Sequence, residues 1–590
     1  MKSLWTKVLF LVFCISSLEA SLSYEVKYHG LDDQAALKAV KSSAQLSTLK
    51  KKPPDSVGAI RYRAESDIPQ ILKVLHAYGY YEAMVNMQVE ESSSKVVVNV
   101  TIYPGPAYTL ENFHVELYTD TKDHPTLCKD IALKNLGIAL HDPIRAQKII
   151  DAEAKIGEIL ASCGYPLSAI EKREVLADGD NKSVKVNIEV RTGPLSRFGP
   201  VDIQGNTAVK ELFFKQKIEW KEKSIYTRDD VINTQTALMD TGLFSSIIIT
   251  HGNTISADGE LPMHIEVTES KHSSVNAGIS YQTYYGPGIT FGWEARNISG
   301  MGRRLSLQGD VTKRSHTGVG TYLIPNFGRI EQDLVWQAMA MHESINPYSE
   351  RTYNITNRVE RRINKKLRLS AGVEGERLYV TSSAQNGNYW LVEFPLYIGL
   401  NASNSLLNPT KGYNFEYTGH PSFNLTDGAD FYFSNVFSFS CYLPVNKSHS
   451  VVLAQMCTIG ALGSDSLQEV PLSKRFFGGS EEDLRGYSYY TVSPLGDHNK
   501  PIGGRSEIFY TLETRFRITK TIGLVPFFDL GNVYKHPLPT FRGKWLKSVG
   551  LGVRYFSFMG PFRLDVGFPL DPRSGLDKKY RILLSVGQTF

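Results

Sequence analysis

The chain has 590 residues, too many for one hydrophobic core, so several domains are expected. Its 65 basic and 60 acidic residues give a net charge of +5, which excludes the basic footprint of a nucleic-acid binder. Aromatic residues make up 11% and glycine contributes 48 positions, a bias toward strands and tight turns.

At the start, Lys2 and Lys7 supply positive charge ahead of the apolar run Val8 to Ile15, and small residues follow at Ala20, Ser21 and Ser23. That run falls short of the ~20 residues a spanning helix needs, so residues 1–20 read as an export signal. No later run approaches a transmembrane helix, so a membrane role would require strands closed into a barrel. Export permits disulfides. Cys128 and Cys163 fall within one predicted small domain, either bonded to each other or as two separate buried thiols. Cys441 and Cys457 lie on neighbouring predicted strands. No CxxC or His/Cys spacing suggests a metal, so none is expected.

Up to about residue 270, helical and strand patterns alternate. Apolar residues at helical spacing (Ile68, Ile71, Leu72, Leu75) end at Gly79-Tyr80-Tyr81. The same happens from Ile149 through Ile156, Ile159 and Leu160 to Gly164-Tyr165-Pro166, and from Val231 to Gly242-Leu243-Phe244. A glycine just past a helix is the usual left-handed cap. Each cap precedes two strand-like runs, the second clearly alternating: Val96 to Ile102, Val184 to Val190, and Met263 to Val267. Strand, helix, helix, strand, strand, repeated three times, predicts a tandem array of small α+β modules. Their open sheet edges suit the capture of an extended peptide as an added strand.

From Ser273 onward nearly every run alternates with period two. Ile508, Tyr510, Leu512 and Phe516 share one face of a predicted strand, with Glu507, Thr511, Glu513 and Arg515 on the other. Phe562, Leu564, Val566 and Phe568 alternate with Arg563, Asp565 and Gly567. A soluble sandwich and a transmembrane barrel share this pattern. Strands of roughly 9–13 residues match the length that crosses a bilayer at a tilt, and an even count of sixteen matches bacterial barrels. The first strand, carrying Val275, Ala277, Ile279 and Tyr281, must meet the last, carrying Ile582, Leu584, Val586, Gly587 and Phe590. Gly587 weakens pairing at that seam and permits a kink.

Between the eleventh and twelfth strands lies a long loop containing FFGGSEEDLRGYSYYTVSPLG, Phe476 to Gly496. By alternation Phe527 and Asp529 share one face of a later strand. A loop folded into the lumen would bring the planar fork of Arg485 to the Asp529 carboxylate.

These motifs carry a family resemblance. The repeat resembles the polypeptide-transport-associated (POTRA) domain, with copies at 24–104, 108–191 and 197–270. Leu484-Arg485-Gly486-Tyr487 resembles the V/I-R-G-Y/F loop signature of the BamA/TamA superfamily of outer-membrane assembly proteins. Phe527-Phe528-Asp529-Leu530-Gly531-Asn532 and Gly552-Val553-Arg554-Tyr555 follow in the family's order, and Val586 to Phe590 resembles its terminal signal. The resemblance implies POTRA repeats followed by a 16-stranded outer-membrane barrel over 273–590, with the POTRA domains in the periplasm. It also implies docking of Arg485 near Asp529 and a seam that opens sideways toward lipid.

The function implied is assembly or translocation of unfolded outer-membrane or autotransporter-type clients, without cofactor or nucleotide. Three modules resemble the TamA branch, whose relatives work with a TamB-like periplasm-spanning partner. A divergent BamA-type insertase and a two-partner secretion transporter are the alternatives. An enzyme is not expected, because no G-x-S-x-G, H-E-x-x-H or phosphate-loop motif is present. A passive pore would leave the three modules without a purpose.

Overall fold

The computed structural model describes residues 23–92, 95–119, 125, 127–557 and 560–586. The export signal at 1–20 and the seam residues Gly587 and Phe590 lie outside the described residues.

The first module runs Tyr24–His29, helices Gln34–Ser43, Gln45–Thr48 and Val57–Ala77, then Met84–Ser92 and Lys95–Tyr103. The last strand lies in the middle of the sheet, parallel to the first and antiparallel to the second. The second module repeats this order with Thr109–Tyr118, Ala169–Asp178 and Ser183–Arg191, and the third with Arg197–Gln204, Phe244–His251 and Glu260–Glu269. The central strand is hidden on both edges. That is why the third run of each module carries the densest apolar pattern, such as buried Val96, Val98, Val100 and Ile102.

The long helices end where the glycines demand it: Gly79, Gly164 and Gly242 have φ of +87°, +97° and +67°, a region open to glycine at little cost. The first of these helices is longer than its periodicity suggests. It begins at Val57, where Ser56 Oγ accepts the Ala59 N–H at 3.2 Å, and continues through Pro69. The buried Asp67 carboxylate on this helix caps the short helix Gln45–Thr48, accepting the N–H groups of Gln45 and Leu46 at 2.9 and 2.8 Å. Cys128 and Cys163 form a disulfide, with Cα atoms 5.2 Å apart.

From Ser273 a fourth sheet takes up the remaining described residues, with antiparallel pairing throughout. It has seventeen segments, but Gly387–Glu393 and Leu396–Asn401 both pair with Leu367–Thr381 and with Gly412–Asn424. They are two halves of one stave broken at Phe394-Pro395, because proline has no N–H for the ladder. Among the described residues, sixteen staves result. The two ends of the sheet order meet where Leu584 N–H donates to Thr283 Oγ1 at 2.8 Å.

The faces of this sheet are inverted relative to a soluble core. Ile355, Trp390 and Phe439 are 66%, 56% and 47% exposed, while Glu513, Asp529, Arg554 and Asp565 are fully buried. Apolar side chains facing outward and charges facing inward are what a lipid-embedded barrel requires. Among the described residues no helix is long and apolar enough to cross a membrane. Cys441 and Cys457 sit on adjacent staves, opposite Gln455 and Phe439 rather than each other, and both are free thiols.

Candidate functional site

The segment between Val451–Ser464 and Ser506–Arg517 folds inward and fills part of the lumen. Leu484 and Tyr487 are fully buried and pack in an apolar cluster with Leu378, Tyr432 and Phe509 from the wall. Between them Arg485, also fully buried, points at the wall.

Its guanidinium meets three carboxylates from three staves. Nη2 and Nε donate to Asp529 Oδ1 and Oδ2 at 2.7 and 3.1 Å. Nη1 donates to Glu513 Oε1 at 2.8 Å and Asp565 Oδ2 at 3.1 Å. The Phe527 ring lies under the cation, its centroid 3.4 Å from Cζ. Asp529 further accepts from the Arg485 N–H, from Ser548 Oγ and from Thr511 Oγ1. A second tier surrounds this core: Arg515 on Glu513, Arg554 on Asp565, and Arg563 on Asp565. Seven charges therefore share a dry interior, each with an opposite neighbour, which is the condition for burying them.

Glycines let the loop come this close. A Cβ at Gly486 would lie 2.7 Å from both Pro569 N and Ser548 Cβ, and one at Gly567 3.0 Å from the Arg485 carbonyl. Gly550 and Gly552 leave room for the Phe527 ring and the Asp565 carboxylate. The R-G pair of the loop signature therefore works with glycines of the wall. One supplies the fork and the others remove the atoms that would keep it out. Tyr487 completes the fit, its Oη donating to the Lys547 carbonyl at 3.0 Å.

The sequence names Asp529 and Phe527 as the lumen partners of Arg485; it places Glu513, Arg515, Arg563 and Asp565 on polar strand faces and Arg554 in a motif without joining them to Arg485. All five sit at inward positions of alternating strands. What the chain does not spell out is which staves stand side by side at the loop's depth.

The Omp85 superfamily domain matches residues 297–590, and the POTRA repeat described as surface antigen variable number repeat matches residues 196–270. Outer membrane protein assembly factor BamA of Nitratidesulfovibrio vulgaris is 24% identical over 549 residues, spanning 89% of this chain and 68% of that protein. BamA of Neisseria meningitidis is 20% identical over 591 residues, spanning 89% and 72%. The crystal structure of Haemophilus ducreyi BamA lacking POTRA domains 1–3 superposes with a TM-score of 0.66 at 17% identity, covering 81% of this chain and 99% of that one. The chain belongs to the Omp85 superfamily.

The Omp85 barrel holds its loop at a second point. Lys474 donates to Glu376 at 2.9 Å and lies 3.0 Å from Glu393, with Glu374 completing a group of three carboxylates. Glu374 accepts instead from Asn354 Nδ2 at 2.9 Å and Thr356 Oγ1 at 2.7 Å. His420 and Tyr432 also reach Glu393, beside a cavity of about 320 Å³. At the seam, Val275, Ala277, Ile279 and Tyr281 face outward, as do Ile582 and Leu584. Of Val586 the backbone alone is described.

Proposed function

We propose that this chain is an outer-membrane assembly and translocation factor. Its POTRA domains receive unfolded clients, and its barrel aids their insertion or secretion at the seam. The observation that carries this reading is the inverted barrel whose lumen loop is locked by Arg485 onto Asp529, Glu513 and Asp565, following a row of three-stranded modules with open edges. The barrel lies in the outer membrane and the POTRA domains in the periplasm. The free energy for moving a client comes from its own strand pairing and burial in lipid.

The edge strands Met84–Ser92, Ala169–Asp178 and Phe244–His251 are where a client adds as an extra strand, because backbone N–H and C=O groups there lack a neighbour on one side. The seam then opens laterally to pass the client to lipid. We assign the chain to the TamA type, with a TamB-like periplasm-spanning partner, on its three modules. The BamA relatives support the second reading, a general insertase. They are longer, this chain spanning 68% and 72% of their lengths.

Depletion in living cells, followed by quantifying outer-membrane proteins, tests both. Loss of a few barrels or autotransporters fits the TamA type; loss of nearly all fits the general insertase. Unchanged outer-membrane composition overturns the assembly function itself. Locking the first and last strands together with a cysteine pair should stop client release, and full activity in the locked form removes lateral opening.

A further inference from the structure

The lumen loop touches more than the wall under Arg485. A column of rings rises from it to the turn that ends the first strand. Tyr284 stacks on Tyr489 with centroids 3.8 Å apart and planes 17° apart. Tyr489 stacks on Tyr490 at 4.4 Å, and Tyr490 on Phe477 at 5.8 Å. The Arg314 guanidinium closes the column over Tyr284 at 4.5 Å. Beside it, Tyr285 shares a hydrogen bond with Tyr489 Oη at 3.1 Å and donates to Glu343 at 2.8 Å. Tyr490 holds φ at +52°, a region a tyrosine rarely adopts.

The same short stretch of loop grips the other side of the seam. Arg581, the first residue of the last strand, donates to the carbonyls of Gly479, at 2.9 Å, and Tyr487. In the turn before that strand, Arg573 donates to the Thr491 carbonyl at 2.7 Å, and Ser488 Oγ donates to the Leu576 carbonyl at 2.7 Å. Among the described residues, no backbone ladder joins the first and last strands, and the Leu584 N–H donates to Thr283 Oγ1 in the turn just past the first strand. The loop thus contacts both sides of the seam.

We propose that residues 476–492 of the loop are a clasp that positions the two seam strands. Tyr489 and Tyr490 hold the first strand through Tyr284, and the loop carbonyls hold the last through Arg581. Seam closure and loop docking are then one event. Displacing the loop releases both strands together, because the loop holds each of them. Tyr284, Tyr489 and Arg581 are positioning residues. The proposal deepens the seam reading given above and rests on it for its functional meaning, though not for its geometry.

The test is oxidative cross-linking of full-length protein in outer membranes, with Thr283→Cys and Leu584→Cys placed across the seam and Cys441 and Cys457 replaced by serine. Heat-modifiable gel mobility reports whether the barrel is folded. Tyr489→Ala with Tyr490→Ala should slow cross-linking about tenfold, the shift expected from losing the three ring stacks of the column. Tyr489→Phe, which keeps the ring, should cross-link at the unaltered rate. Tyr284→Ala breaks the same column from the hairpin side, and it serves if the loop variant fails to fold. Arg581→Ala should slow cross-linking from the opposite strand, with partial rescue by Arg581→Lys. Unchanged cross-linking in folded Tyr284→Ala overturns the clasp. Unchanged cross-linking with lost client assembly sinks the clasp and leaves the assembly function standing. Slowed cross-linking with assembly intact supports the clasp and removes the seam from the functional reading.

Discussion

In the second module the helix Ala146–Ser162 buries Ile149, Ile156 and Leu160 against Val184, Val186 and Ile188. In the barrel the strand Ser506–Arg517 buries Glu513 and Arg515 and turns Ile508 and Leu512 outward. Both regions obey one rule: apolar side chains go where water is not. The module has its dry space inside. The barrel has it outside, in lipid, and keeps a second, smaller dry space under the docked loop. In that inner space side chains cannot gain from the hydrophobic effect alone, so position is set by charge geometry and by glycine clearance.

The contrast is broken most severely at the charge cluster. Asp529→Ala leaves Arg485 facing a wall with one carboxylate fewer, and removing one partner of a buried pair costs about 3–5 kcal/mol. The temperature at which the barrel loses its heat-modifiable gel mobility should fall sharply. Arg485→Ala combined with Asp529→Ala should cost less than the two singles added together, because the pair strands each other's charge. Additive losses would mean that Arg485 and Asp529 do not depend on each other.

In the module the corresponding injury is a cavity. Ile156→Ala removes a fully buried side chain and should cost about 2–5 kcal/mol. The loss should appear as faster proteolysis within residues 108–191, with the barrel's gel mobility unchanged. A shift in the barrel's melting would show that the two regions are not separate cores.

Clearance is the subtler requirement. Gly486→Ala keeps every charge and adds one methyl, 2.7 Å from Pro569 N and Ser548 Cβ. Overpacking of this kind typically costs about 1–3 kcal/mol. It should raise protease sensitivity in the loop before it changes the barrel's melting. A silent Gly486→Ala would mean that the wall yields and that the signature glycine serves another purpose.

Much of this was legible in the chain, and the limits are physical. Alternation assigned Phe527 and Asp529 to one face, and it does so for Glu513 and Asp565 equally well. Strand period fixes which way a side chain points. It does not fix the height of one stave against the next, which comes from ladder register and barrel shear. Thr511 opposite Asp529, and Asp529 opposite Ser548, are register facts. Lys474 was invisible for a related reason: it sits in a one-turn 3₁₀ segment with no periodicity, and its partners lie on staves nearly a hundred residues earlier. The start of the first long helix was hidden by Pro69, which reads as a boundary and is tolerated within the helix.

The smallest effect expected is at Glu269, the last residue of the third module's central strand. Its Oε1 accepts the N–H groups of Thr207, Ala208 and Val209 at 2.8, 2.9 and 2.9 Å. Burial pushes this carboxyl up, but the three backbone donors and the nearby His272 outweigh it and hold the group below its ordinary range. A carboxyl depressed in the folded state adds stability that is fully present above the ordinary carboxylate range, near pH ~4.3. That stability is lost as pH falls through the lower folded value. Glu269→Gln keeps the shape and one acceptor oxygen while removing the charge, which should cost about 1 kcal/mol at neutral pH. Denaturant unfolding of the third module, followed by protease resistance of residues 197–270, should show the two forms converging as pH drops below ~4. A gap that persists unchanged into acid would mean that the loss comes from packing around the side chain and not from its charge.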